Sequence, residues 1–213
     1  MINKNKLKGF TLIELIFVII ILGIMAAVGI GSVHNTLRED AINNILSSVR
    51  YTQHLALTDN KMNPRKAKWQ KALWTLKYGK CSGKYRYTIG SDMNLDGKID
   101  KTESAISVVN DKLIYNDTAN CKSNDATNDI SIGRNFYISS ITFKNCGGDN
   151  ISFDYLGRPH SNVNNILTSN YNSLNKKDCI ITYNFDTNLG FQPIVLTIKS
   201  ETGFASIKNR GGL

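Results

Sequence analysis

The chain has 213 residues, with 26 Lys and Arg against 17 Asp and Glu, for a net charge of +9. No repeat or low-complexity tract interrupts it, so it reads as a folded chain rather than an array or a disordered tail. Beyond its apolar start about 180 residues remain, enough for one globular domain with a real core and not clearly enough for two.

The start carries the strongest signal. Lys4, Lys6 and Lys8 lead through Gly9 into Phe10-Thr11-Leu12-Ile13-Glu14, and an almost unbroken apolar run continues to Val33. About 20 apolar residues at 1.5 Å rise match a hydrocarbon core of roughly 30 Å, which predicts a spanning helix over 10–33. The lysines lie on one side of it, placing residues 1–9 in the cytoplasm and the rest of the chain outside. A cleavable secretory signal would have a shorter apolar core, and no small-x-small cleavage site follows the run to Val33 before the polar stretch Asn35 to Asp40. Glu14, the one ionisable group in the run, costs several kcal/mol in a bilayer unless something pairs with it.

The stretch Lys8-Gly9-Phe10-Thr11-Leu12-Ile13-Glu14-Leu15 resembles the class III signal of type IV pilins and type II secretion pseudopilins. The resemblance implies a leader of residues 1–9, cut by a prepilin peptidase between Gly9 and Phe10, and N-methylation of Phe10. It also implies that Glu14 neutralises the N-terminal amine of a neighbouring subunit in a helical filament, since two opposite charges buried together offset much of their desolvation. The expected partners are other pilin or pseudopilin subunits, the prepilin peptidase and the bacterial inner membrane, with a periplasmic C-terminal domain. Many family members carry proline where this chain has Gly31; here Gly29 and Gly31 supply any flexibility.

After the run, Leu37, Ile42, Ile45, Leu46, Val49, Leu55 and Leu57 keep a three-to-four spacing, with Arg38, Glu39, Asp40 and Arg50 between them. That predicts an amphipathic continuation of the helix over 34–60, ended by Asp59-Asn60 and Pro64. From there the period becomes alternating. Ala72, Trp74, Leu76 and Tyr78 share a face opposite Lys71, Thr75 and Lys77, and Gly79 to Gly83 turns the chain into Tyr85, Tyr87 and Ile89. Further strands are expected at 105–109, 112–115, 136–143, 150–154, 179–185, 193–199 and 203–208, separated by Asn, Asp, Gly and Ser clusters. The fold class that follows is α+β: a long N-terminal helix, half transmembrane and half packed, against an antiparallel sheet domain over 61–213.

Three segments narrow the resemblance. The helix stretch Leu46 to Leu57, the run Ile151 to Pro159 and the closing hairpin Ile198 to Ile207 look like H-class minor pseudopilins and FimT-type minor pilins. The segments 116–132 and 160–178 have no counterpart in that group.

A second chemical signal is the twelve-residue stretch 92–103. Its order fits an EF-hand calcium loop: Asp92, Asn94, Asp96, the Lys98 carbonyl, Asp100 through water and a bidentate Glu103 as ligands, with Gly97 at the sharp turn. Ile99 would face inward. Flanking helices are missing, so calcium would sit in an EF-hand-like loop on a sheet scaffold in a structural role; a metal-free Asx-rich turn is the competing reading.

Cys81, Cys121, Cys146 and Cys179 all follow the apolar run, in an oxidising compartment where two disulfides are expected. Of three connectivities, Cys81 with Cys121 and Cys146 with Cys179 is favoured over the other two. Zinc is disfavoured because no C-x-x-C pair is present, and buried free thiols are the other alternative.

Between Asp59 and Asp92 there is no acidic residue, while Lys61, Arg65, Lys66, Lys68 and Lys71 begin a basic run interleaved with Trp69, Trp74 and Tyr78. Such a pattern can contact the phosphates and bases of single-stranded nucleic acid. The rival reading, a solvated face behind a core face, is favoured. His34, His54 and His160 stand in no catalytic motif, so no enzymatic activity is expected. The chain reads as a minor pilin or pseudopilin, a subunit of a type II secretion pseudopilus or type IV pilus. Alternatives are a DNA-binding minor pilin for natural transformation and a major pilin.

Overall fold

A computed structural model describes residues 11–121, 124–168 and 171–208, those of 26–35 by backbone alone. The expected leader, Gly9 and Phe10 therefore lie outside the described residues, as do Asn209 and Arg210. Helix α1 spans Leu12–Thr58. The chain divides into two units, Met1–Glu39 and Asp40–Leu213.

In the first unit, Leu12 to Met25 expose their side chains, with Leu12 at 77% and Phe17 at 66%. Among the described residues no helix is long and apolar enough to cross a membrane. The expected span over 10–33 reaches past the described side chains at both ends, and the part between them falls short of the about 20 residues a bilayer requires.

In the second unit, the α1 residues Ile42, Ile45, Leu46 and Val49 are buried, as their spacing predicts, with Ala41 and Ala56 buried beside them, and Leu55 is half-buried. Burying each large aliphatic chain contributes roughly 1.5 to 3 kcal/mol. Leu57 departs from the expected stripe and is 56% exposed. The helix stops at Thr58, where Asp59 accepts a hydrogen bond from the Trp74 indole at 3.1 Å.

Eight strands form two antiparallel sheets. The first has the order β2-β1-β4-β5, from β1 (Trp74–Cys81), β2 (Lys84–Gly90), β4 (Asn150–Phe153) and β5 (Pro159–His160). The second has the order β3-β6-β7-β8, from β3 (Ile138–Lys144), β6 (Cys179–Phe185), β7 (Ile194–Ile198) and β8 (Ala205–Lys208). Leu76 and Tyr78 on β1 face the core with Tyr87 and Ile89 on β2, and Ile181 and Tyr183 do so from β6. The hydroxyls of Tyr78 and Tyr183 meet at 2.6 Å, joining the sheets inside the core. Burial pushes both phenols well above their usual range.

Two expected strands are absent. Segments 105–109 and 112–115 make only isolated bridges, Ile106 with Leu113 and Leu113 with Ala126. Ala105, Ser107 and Ile114 are buried, and Ala105 and Ile114 bond to Ile89 of β2, but Asp111 turns at a φ of 55° and Val108 and Val109 are each 81% exposed, so the ladder breaks off after single contacts. Cys81–Cys121 and Cys146–Cys179 form disulfides, with Cα atoms 5.6 and 4.9 Å apart. This is the favoured pairing of the three.

Candidate functional site

The N-terminal end of α1 places Glu14 against Thr11. The Thr11 N–H and hydroxyl both donate to one Glu14 oxygen at 2.9 Å. This is the reciprocal cap that a helix start favours. Glu14 thus finds hydrogen-bond donors within its own first turn.

The loop 92–103 folds around its own backbone. Asp92 accepts the Asp96 N–H at 3.1 Å on one oxygen and the Gly97 N–H at 2.7 Å on the other. Asn94 and Asp96 accept from Asp96 and Lys98 at 2.9 and 2.8 Å. Glu103 takes the Met93 and Asn94 N–H groups on one oxygen and the Asp100 N–H on the other. Gly97 turns at a φ of 96°. Ile99 packs on the backbone of Gly90, as its inward position in the loop requires. Asp92 is only 1% exposed, and burial, with Asp96 and Glu103 nearby, raises its proton affinity against the pull of its backbone donors. Among the described residues no three His, Cys, Asp or Glu side chains are grouped to hold a metal ion.

The basic run separates into two kinds of residue. Lys61 pairs with Asp59 at 2.6 Å and lies over the Trp74 ring, and buried Lys71 donates to the Leu95 carbonyl at 3.2 Å. Arg65, Lys66 and Lys68 are exposed. Trp69, Leu76 and Tyr78 are core residues. The face available to nucleic acid is therefore narrower than the sequence run.

Sequence reasoning missed one constellation. His160, which stands in no catalytic motif of the sequence, is fully buried on β5. Its Nε2 lies 3.3 Å from Asp154 Oδ2 and its Nδ1 lies 2.7 Å from the Ser173 hydroxyl, which also meets Gln70. Arg158 clasps the same carboxylate through Nε at 2.8 Å and Nη2 at 2.7 Å. Burial works against ionisation of Asp154, but the hydrogen bonds from His160 and Arg158 outweigh it and carry the group down to about 2. A carboxylate, an imidazole and a hydroxyl in this order can activate a nucleophile. Here Asp154, His160 and Ser173 are 1, 0 and 4% exposed, so the hydroxyl is sealed from substrate and the network works as a structural lock. The only sequence signal was the Asp154-to-Gly157 turn with Arg158 beyond it; Ser173 lies in the segment for which the sequence offered no reading.

The described parts define an α+β chain with a capped carboxylate at the start of an exposed apolar helix. A family model described as a prokaryotic N-terminal methylation motif matches residues 4–30, giving the chain a type IV pilin-type signal. No curated protein and no solved structure matches it.

Proposed function

We propose that this chain is a minor pilin or pseudopilin, inserted in the bacterial inner membrane through residues 10–33, cut after Gly9, N-methylated at Phe10 and assembled into a helical filament. The observation that carries this reading is the methylation motif at residues 4–30. The single carboxylate at Glu14 would neutralise the amine of the next subunit, and the sheet domain would face partners in the periplasm. The narrower H-class reading draws support from Gln53. Its amide donates to the carbonyls of Gly157 at 3.2 Å and Gly203 at 2.7 Å, so the three segments that carry that resemblance meet at one side chain.

The test is mass spectrometry of the chain expressed with and without a prepilin peptidase. The expected product begins at N-methyl-Phe10, Gly9→Val blocks cutting, and Glu14→Leu is cut but fails to assemble. A chain that keeps Met1 beside an active peptidase would sink the reading.

The DNA-uptake alternative rests on exposed Arg65, Lys66 and Lys68, and salt-sensitive binding lost in their glutamine variants would favour it. Structural calcium at 92–103 is a separate proposal. The order of oxygen donors and the mutual repulsion of Asp92, Asp96 and Glu103 support it; Glu103 would exchange its backbone hydrogen bonds for the ion.

A further inference from the structure

Strand β2 has two faces, and the one turned away from the core ends in cations that form no ion pair among the described residues. Tyr87 and Ile89 face inward, while Arg86 and Thr88 face a covering segment around Asn116 and Cys121. Thr88 accepts the Asn116 N–H at 2.8 Å, and Cys121, held to β1 by its disulfide, accepts from Arg86 Nη1 at 3.1 Å. Arg86 is only 5% exposed, and its Nε has no hydrogen-bond partner among the described residues. A buried N–H left unpaired is destabilising, and more so on a charged group.

A second arginine is brought to the same place by backbone contact. Gly133 lies so close to β2 that a Cβ there would stand 2.5 Å from the Tyr85 nitrogen. Only glycine lets the short helix α2 (Ile132–Asn135) press onto the strand, and Arg134 follows it. Burial and then the Arg134 charge weaken the hold of Arg86 on its proton; Asp117 acts in the opposite sense. Among the described residues neither arginine forms an ion pair. Lys112 completes the cluster. The nearby Asp125 is already bound by Lys101 at 2.5 Å.

A cavity of about 370 Å³ opens between these groups, lined by Arg86, Arg134, Lys112 and the amides Asn124, Asn128 and Asn135. None of its described lining residues is acidic. That volume lies within the range of small-molecule sites. We infer that this cavity binds a phosphate-type dianion, either the free ion or the monoester end of a small molecule. Two planar guanidinium groups match the oxygen edges of such an anion, and a lone carboxylate would leave two of the three cations unbalanced. This inference does not depend on the pilin reading.

The experiment uses the full chain in detergent, melted and titrated with inorganic phosphate and with glycerol 3-phosphate against chloride at matched ionic strength. Phosphate is expected to raise the melting temperature saturably. Arg134→Gln should weaken the apparent dissociation constant by about tenfold or more, the loss of one charge-assisted contact, while the melting temperature in chloride stays level or rises. Arg134 is exposed, so this variant folds even if Arg86→Met does not. Tighter binding of glycerol 3-phosphate would assign the site to a monoester, and tighter binding of inorganic phosphate to the free ion. Phosphate no better than chloride, equal phosphate binding in Arg134→Gln, or stabilisation by a single-stranded oligonucleotide alone would overturn the proposal.

Discussion

Two carboxylates, Asp92 and Asp154, are equally buried at 1% exposure and sit in loops that turn back on themselves, yet their proton affinities move in opposite directions. Burial raises the energy of the Asp92 charge, its backbone N–H donors do not offset it, and Asp96 and Glu103 add to it. Asp154 holds Arg158 and His160 as well, and its charge is lowered. Burial sets the size of what is at stake, and the partners set its sign. The first loop has charge to spare for a cation; the second has spent its charge on its own side chains.

The largest effect expected along this contrast is from Asp154→Ala. Removing the carboxylate leaves Arg158 half-buried and His160 fully buried without their partner, at a cost of about 3 to 5 kcal/mol in urea unfolding. A loss below about 1 kcal/mol would show that the network is not the lock described here. Next comes acid. Asp154 titrates lower in the folded chain than in the unfolded one, so its stabilisation is fully present above the ordinary aspartate range and is lost as pH falls toward 2. The amount is about 2 kcal/mol, read from unfolding free energies between pH 5 and pH 2. Asp92 contributes with the opposite sign, because a raised carboxylate regains stability as it is protonated. Asp154→Ala should therefore flatten the acid limb, and Asp92→Asn should steepen it. The smallest effect is from calcium. At about tenfold over a dissociation constant on the order of 10⁻⁴ to 10⁻³ M, the ion should stabilise the chain by about 1.4 kcal/mol, and Asp96→Ala should abolish the rise in melting temperature. No shift in millimolar calcium would leave 92–103 as a metal-free turn.

Local signals carried much of this fold. The hairpin of β1 and β2, the inward Leu76 and Tyr78 and the full extent of β6 at Cys179–Phe185 follow from residue pattern, as does the burial of Ile42, Ile45 and Val49; the expected turn at Gly79–Gly83 is shorter, since Gly79 to Cys81 pair within β1 and only Ser82 and Gly83 turn, and Thr75 on the expected outer face is buried. Patterns failed where the covering layer comes from far away in the chain. Arg86 alternates with core residues and so reads as solvated, but the segment around Asn116 and Cys121 closes over it. His160 belongs to a two-residue strand whose pairing with Ser152 depends on the Gly157 turn at a φ of 76°. Its second partner, Ser173, is thirteen residues further on. At 105–115 the error ran the other way, since Ala105 and Ile114 reach the edge of β2 but the turn at Asp111 and the exposed Val108 and Val109 break the ladder into single bridges. The calcium-like loop was legible as a list of donors, while the direction in which each donor points was not.

The contact between Tyr78 and Tyr183 also limits how this core can vary. Tyr78 changed to phenylalanine strands the fully buried Tyr183 hydroxyl, whereas changing both removes the demand along with the supply. Substitution at these two positions is therefore expected to proceed in pairs, so that strands far apart in the chain share one evolutionary choice.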